Sequence, residues 1–219
     1  MGRARAWHLL TFLVTAFALV LQTVLVIKGG AHIPSETDPD VAVASAPDLA
    51  TRLVRLVSYF TILSNVLVAI TSLTIAARAD RDTHLWRVLR LNAVVCITLT
   101  GIVHWFFLRP LLDLHGADWW ADKLLHIVVP VLALVGWMLF GPRGRVDVRD
   151  LAASAIFPAV YMVYTLVRGE LVGWYPYPFT DVDLHGYPIV LLNAVGIIVL
   201  LVLLSFGALK LDPRLPGES

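Results

Sequence analysis

Charged residues are scarce in this chain: Asp, Glu, Lys and Arg together make up 15% of its 219 residues. Hydrophobic residues make up 58%, and the mean hydropathy is +0.79. Because an ordinary soluble domain carries about 25% charged residues, this composition indicates an integral membrane protein. The net charge of +1 provides no excess of positive charge for a polyanion, so no nucleic-acid partner is predicted.

Cysteine and several familiar catalytic motifs are also scarce or missing. The single cysteine, Cys96, cannot form an internal disulfide. No glycine-rich phosphate loop, CxxC, HExxH or GxSxG motif occurs, and we find no carboxylates at metal-ligand spacing within the apolar runs. We therefore predict neither a metal site nor another cofactor.

Long apolar runs dominate what remains. A helix needs roughly 20 apolar residues to cross the hydrocarbon core of a bilayer, and six segments qualify. The first run, Leu9 to Ile27, is longer than the core of a signal peptide, which favours a retained helix. We predict an all-α fold, a six-helix transmembrane bundle in one domain over residues 1–210, with a short tail over 211–219. The predicted helices are Trp7–Ile27, Leu53–Ala77, Val88–Leu108, Leu124–Phe140, Leu151–Val167 and Tyr187–Leu209.

The basic residues predict the orientation, because cytoplasmic loops are enriched in Lys and Arg. Six of the 17 lie on one side of the predicted helices: Lys28, Arg52, Arg55, Arg109, Lys123 and Arg168. The other eleven lie with the termini: Arg3, Arg5, Arg78, Arg81, Arg87, Arg90, Arg143, Arg145, Arg149, Lys210 and Arg214. We therefore predict that both termini and the tail are cytoplasmic, with the chain in the plasma membrane. Tryptophans and tyrosines of the outer loops fit an aromatic belt.

Several polar side chains interrupt the predicted helices, and they gather in the outer half. Ser58, Thr61 and Asn65 share one face of helix two at i, i+3 and i+7. Ionisable groups inside a membrane are costly and usually face a cavity or a partner. The pattern indicates an inward-facing polar pocket, although hydroxyl and amide groups also serve as contacts between helices. Its predicted members are Thr61, Asn65, His104, His126, Tyr164, Arg168 and Asn193.

Three short motifs resemble a known family. YFTILSN lies in helix two, KLLHIVVPVLAL opens helix four, and GWYPYPF precedes helix six. In this order they resemble the androgen-induced family of multi-pass transmembrane hydrolases, whose animal members hydrolyse fatty acid esters of hydroxy fatty acids. The characterised members use an intramembrane threonine as nucleophile and a histidine as its partner. The resemblance implies that Thr61 and His126 fill these roles here, with a lipid ester from the membrane as substrate.

The chemistry of such a pair is reasonable in itself. A threonine hydroxyl needs a base within about 2.6–3.2 Å, and a neutral imidazole is suitable near pH 7. We expect Asn65 to stabilise the oxyanion and Arg168 to bind a substrate carboxylate. Straight helices would separate the pair, however, because Thr61 would lie about 12 Å below the outer end of its helix and His126 only about 5 Å below its own.

Other functions stay open at this stage. His104 and His126, on adjacent antiparallel helices, could ligate a haem from two sides, as in a b-type membrane cytochrome. The same histidines could serve a metal-dependent hydrolase. A transporter or structural membrane protein would use the polar cluster only to hold helices together, although no inverted repeat is evident.

Overall fold

The structure, a computed structural model, describes residues 2–29, 47–77, 82–141, 143 and 146–215. Within these ranges the chain is helical, with no β-strand, so the predicted all-α fold is confirmed. A π-helical turn at His104–Leu108 continues the α-helix before it, and another at Leu124–Val128 leads into the α-helix after it. The α-helices are α1 Arg3–Ile27, α2 Leu49–Val57, α3 Phe60–Ala76, α4 His84–Val103, α5 Gly116–Lys123, α6 Val129–Phe140, α7 Val148–Ser154, α8 Ile156–Val172 and α9 Val182–Leu211.

Five helical stretches are long and apolar enough to cross a bilayer, as expected for a multi-pass membrane protein. They are Arg3–Ile27, His84–Leu111, Gly116–Phe140, Val148–Val172 and Val182–Arg214. The bent pair of α2 and α3 makes a sixth if it is counted as one span.

Helix α4 lies at the centre of the bundle. In its most apolar window 56% of the residues are buried, against 22–28% in the other four long stretches. It packs against α3, α6, α7 and α9. Its buried face includes the small residues Ala93, Cys96 and Thr100, and small side chains allow membrane helices to approach closely. The outer helices instead expose Leu, Ile, Val and Phe, which suits contact with lipid.

The bundle has two distinct ends. At one, Arg5 Nε donates to the Ala76 carbonyl at 2.6 Å, and His84 contacts the buried Asp150 at 2.8 Å. This terminal end therefore collects the N-termini of α1, α4 and α7 and the C-terminus of α3. The opposite end, the site end, carries α2, α5 and the loop between α8 and α9.

The predicted single helix Leu53–Ala77 is wrong, because the chain breaks at Ser58 and Tyr59 and α3 leaves α2 at 65°. A break between helices leaves backbone groups without intrahelical partners, and buried ones need partners elsewhere in the protein. Two tyrosine hydroxyls meet this need: Tyr161 accepts from the Phe60 N–H and Tyr177 from the Thr61 N–H, each at 3.2 Å. Tyr161 also donates to the Ser58 carbonyl at 3.0 Å.

The predicted start of helix four at Leu124 is also too late. The helical stretch begins at Gly116, passes through the π-turn Leu124–Val128 and continues into α6. Pro130 has no N–H to offer the carbonyl of His126, four residues earlier, which accounts for an altered hydrogen-bond pattern at this point. Gly101 of α4 lies against this turn, since a Cβ there would be 3.2 Å from the His126 carbonyl oxygen.

The remaining helices start or end a few residues from their predicted limits. Helix α9 begins at Val182 and bends at Gly186, whose φ of +73° a glycine adopts without strain. The predicted tail at 211–219 is structured at its start: Asp212–Arg214 form a 3₁₀ turn, and Asp212 is buried 3.7 Å from Arg143.

Replacing Tyr161 tests the role of tyrosine hydroxyls at the break. Tyr161→Phe leaves the buried Phe60 N–H without an acceptor, so we expect the free energy of unfolding to fall by about 1–3 kcal/mol. Thermal unfolding of the purified protein in detergent measures the change.

Tyr164→Phe is the matched control. Tyr164 lies one turn along the same helix, is 41% exposed and contacts the Ser58 hydroxyl, which also donates to the Val54 carbonyl. We expect little effect from this change. Equal destabilisation by the two variants would contradict a special role for Tyr161.

Candidate active site

The structure brings the two predicted catalytic side chains together. Thr61 Oγ1 lies 3.2 Å from His126 Nε2. Two departures from the predicted helices remove the difference in depth: Thr61 lies in the first turn of α3, just after the break, and His126 lies ten residues beyond the true start of its helical stretch.

A carboxylate that the sequence analysis missed completes this arrangement. Asp122 Oδ1 lies 3.0 Å from His126 Nδ1, and the Asp122 carbonyl oxygen lies 3.0 Å from the same nitrogen. Lys123 Nζ contacts the other carboxylate oxygen at 2.8 Å. Asp122 is buried, and its carboxylate lies within 4.8 Å of ring nitrogens of His104 and His126, so the expectation that the spans hold no carboxylate at metal-ligand spacing is wrong. The i, i+4 spacing of Asp122 and His126 would have indicated this contact from the sequence if both residues had been placed on one helix.

These contacts link a hydroxyl, an imidazole and a carboxylate in that order. An Nδ1–H that donates to Asp122 leaves Nε2 of His126 free to accept the Thr61 proton. The same logic of roles operates in hydrolytic triads on unrelated folds. The histidine is 14% exposed and Asp122 6%, so the imidazole lies at the edge of the buried region.

His104 stacks directly on His126. The two ring centroids are 3.9 Å apart and the planes differ by 12°. His104 is 1% exposed, and its Nε2 lies 3.4 Å from Asp122 Oδ1. A bis-histidine haem needs ring nitrogens that approach iron from opposite faces of a porphyrin. Rings in face-to-face contact leave no space for that plane, so the residues do not fit the predicted haem alternative.

The distances between the ligand atoms of these residues suit a metal ion, but the orientations of the two imidazole rings do not. His104, Asp122 and His126 offer ligand atoms within 4.8 Å of one another, which differs from the expectation that no ligand set exists here. Imidazole lone pairs lie in the ring plane, however. Two nearly parallel rings 3.9 Å apart cannot both direct a lone pair at one ion unless one ring turns.

Asn65 connects the two segments that carry Thr61 and His126. Its amide nitrogen donates to the Thr61 carbonyl at 2.8 Å and to the Leu125 carbonyl at 3.3 Å. Both amide hydrogens are thus engaged, so Asn65 is not available as the oxyanion donor that the sequence analysis expected. It joins the first turn of α3 to the π-turn that carries His126. The side-chain oxygen of Asn65, Oδ1, is buried without a hydrogen-bond partner.

Tyr177, which lies in the GWYPYPF motif and was expected in the outer aromatic belt, reaches Thr61. Its hydroxyl accepts from the Thr61 N–H at 3.2 Å and lies 3.4 Å from Thr61 Oγ1. Burial raises the pKa of the Tyr177 phenol, so the group stays protonated at neutral pH. A protonated hydroxyl this close to the nucleophile can donate to an oxyanion formed there.

The loop that carries Tyr177 is fixed by α9 and by its own turn. Asn193 donates from Nδ2 to the Phe179 carbonyl at 3.0 Å, and the Thr180 hydroxyl donates to the Tyr177 carbonyl at 2.8 Å. Asn193 therefore supports the loop. The contacts of two other predicted site residues also lie away from the Thr61 hydroxyl: Tyr164 contacts Ser58, and Arg168 lies over the Trp174 ring.

Thr61 and Tyr177 both line a cavity between α3, α4, α8 and α9. The cavity and its opening together enclose about 550 Å³. Its wall is mostly apolar, with side chains including Leu99, Val103, Pro158, Met162 and Ile197. An apolar wall of this kind suits an apolar part of a ligand next to the Thr61 hydroxyl.

Comparisons of the chain with protein-family models, with curated proteins and with solved structures find no significant match in any of the three. The geometry of the residues therefore carries the functional argument.

A glycine supports the position of the Tyr177 loop. A Cβ at Gly169 would overlap the ring of Tyr175, two residues before Tyr177. We expect Gly169→Ala to push this loop away and to lower the free energy of unfolding by about 1–3 kcal/mol. Thermal unfolding in detergent measures the change.

Gly196→Ala in α9 is the control, because nothing lies within 4 Å of a Cβ there. Alanine favours a helix over glycine by about 1 kcal/mol, so this variant should be as stable as the parent or more so. If Gly169→Ala were equally stable, the close packing of Tyr175 on α8 would not matter for the loop.

Proposed function

We propose that this protein is an intramembrane lipid-ester hydrolase in which Thr61 is the nucleophile and His126 is the base. The observation that carries the proposal is the series of contacts from Thr61 through His126 to Asp122, at the wall of an apolar cavity. Hydrogen bonds between helices alone would not require a hydroxyl, an imidazole and a carboxylate in this order.

The reaction proceeds in two stages. His126 Nε2 takes the proton of the Thr61 hydroxyl as Oγ1 bonds to the ester carbonyl carbon, and the carbonyl oxygen becomes an oxyanion that accepts from the Tyr177 hydroxyl. The C–O bond to the alcohol then breaks, and the imidazolium returns its proton to that alcohol. Water, deprotonated by His126, then attacks the carbonyl carbon of the acyl-threonine. The bond to Thr61 Oγ1 breaks, the imidazolium returns its proton to Oγ1, and the free acid leaves.

Asp122 contributes by orienting the base. Its carboxylate accepts from Nδ1 of His126 and stabilises the imidazolium that forms in each stage. Lys123 balances the charge of this buried carboxylate, because an unpaired charge in a low-dielectric interior is costly.

The proposal includes a topology of six spans, with α2 and α3 forming one broken span and both termini in the cytoplasm of a plasma-membrane protein. The excess of Lys and Arg at the terminal end supports this orientation. The site end then faces the outer leaflet. A substrate such as a fatty acid ester of a hydroxy fatty acid, as the resemblance implies, would enter from that leaflet.

A metal-dependent hydrolase is the second candidate. The three ligand-type atoms within 4.8 Å of one another favour it, and the stacking of the two imidazoles disfavours it.

Loss of the nucleophile or the base tests the principal proposal. We expect Thr61→Ala and His126→Ala to reduce hydrolysis of lipid esters by about 10²–10⁴-fold, since each removes one partner of the proton transfer. Asp122→Asn should also reduce the rate strongly, because the orienting carboxylate is lost. Release of fatty acid by the purified full-length protein is the measurement.

Thr71→Ala is the matched control. Thr71 lies on the same helix, is 5% exposed like Thr61, and bonds to the Leu67 carbonyl of its own helix. This variant should retain the parent rate. A parent protein that cleaves no ester, or Thr61 and His126 variants as active as the parent, would favour the transporter or structural alternative.

A chelator separates the two hydrolase candidates. In the threonine mechanism, treatment with EDTA should leave the rate unchanged, and His104→Phe, which preserves an aromatic ring against His126, should remain more active than His126→Ala. Loss of activity on chelation, with recovery on addition of zinc, would identify the metal-dependent reaction instead.

A further inference from the structure

Two arginines from different helices converge on one tryptophan at the site end. The guanidinium carbon of Arg55, in α2, lies 5.0 Å from the centre of the Trp174 ring, and that of Arg168, in α8, lies 4.9 Å from it. Trp174 belongs to the loop that also carries Tyr177. Cation–π contacts of this kind hold a guanidinium plane without neutralising its charge.

Neither arginine has an acidic partner in the described part of the chain. Lys123 and Arg87, in contrast, are paired with Asp122 and Asp150. In addition, Arg55 Nε is buried without a hydrogen-bond partner. Two like charges held on one ring repel each other, so an anion bound between or beside them would stabilise this arrangement.

The arginine pair is connected to the active site by aromatic contacts. Trp174 meets Tyr59 edge-to-face at 5.7 Å between ring centres, and Tyr59 meets Tyr177 at 5.6 Å. Tyr177 in turn contacts Thr61 and lines the apolar cavity. If the charged group of a lipid binds at Trp174, only the rings of Tyr59 and Tyr177 therefore separate it from Thr61.

We propose that Arg55 and Arg168, positioned by Trp174, form a binding site for the anionic head group of an acyl lipid. Guanidinium groups bind carboxylate and phosphate oxygens through paired N–H donors, which makes either head group suitable. The inference rests on the proposed function only where it assigns the anion to the ester substrate. In that case the enzyme selects esters that carry a free acid group in addition to the ester bond.

Equilibrium binding of radiolabelled oleate and methyl oleate to the full-length Thr61→Ala protein in phosphatidylcholine nanodiscs tests the site without hydrolysis. We expect Arg55→Gln and Arg168→Gln each to weaken oleate binding at least tenfold and to leave binding of methyl oleate unchanged. Arg168→Lys, which keeps the charge, should retain more oleate binding than Arg168→Gln.

Arg109→Gln is the matched control. Arg109 also lies over a tryptophan at the site end, 4.2 Å from the Trp105 ring centre, but no second cation shares that ring in the described residues. This variant should bind oleate as the parent does. Lysophosphatidate, used as a competitor, distinguishes a phosphate head group from a carboxylate, since the preferred anion displaces oleate at the lower concentration.

The outcomes separate this inference from the proposed function. If oleate binding depends on the arginines but the parent protein cleaves no ester, the anion site is supported and the proposed hydrolase activity is contradicted. Arginine variants that bind oleate as the parent does would overturn the anion site. Equal loss of oleate and methyl oleate binding would overturn it too, because the arginines would then serve only to hold the fold.

Discussion

The need to satisfy every backbone N–H inside hydrocarbon is the constraint on which the rest of this structure depends. The chain breaks between α2 and α3 at Ser58 and Tyr59, so the Phe60 and Thr61 N–H groups at the start of α3 have no acceptor in their own helix. Tyr161 and Tyr177 supply the missing acceptors. Thr61 thereby becomes the second residue of a helix, where the helix dipole favours negative charge.

The buried charge at the site is balanced by its neighbours. Asp122 contacts two imidazoles and the ammonium group of Lys123, so no single partner carries the cost of removing the carboxylate from water. The position of its histidine partner depends on backbone features: Gly101 permits close approach of α4, and Pro130 changes the helical pattern beside His126. Small and helix-distorting residues thus set the geometry that the ionisable residues use.

Hydropathy predicted the all-α fold and the long apolar helices, but it did not predict the break between α2 and α3 or the start of a helical stretch at Gly116. The pairing of Thr61 with His126 followed from motif resemblance and outer-half position. Asp122 was missed because it lies before the apolar run, so the predicted helix excluded it. The role of Tyr177 was missed because a tyrosine in an outer loop looks the same in sequence whether it faces lipid or enters the bundle. Asn65 was assigned to the oxyanion from its helical face, but its contacts depend on a π-turn that periodicity does not reveal.

The position of Thr61 has a consequence for how the two reactants of a hydrolysis meet. The Thr61 hydroxyl lines an apolar cavity between α3, α4, α8 and α9, and its histidine partner is 14% exposed beside a lysine that is 20% exposed. An oily ester and a water molecule would arrive by separate routes of opposite polarity. In the proposed hydrolysis each reactant would thus meet surroundings of its own polarity at the same hydroxyl.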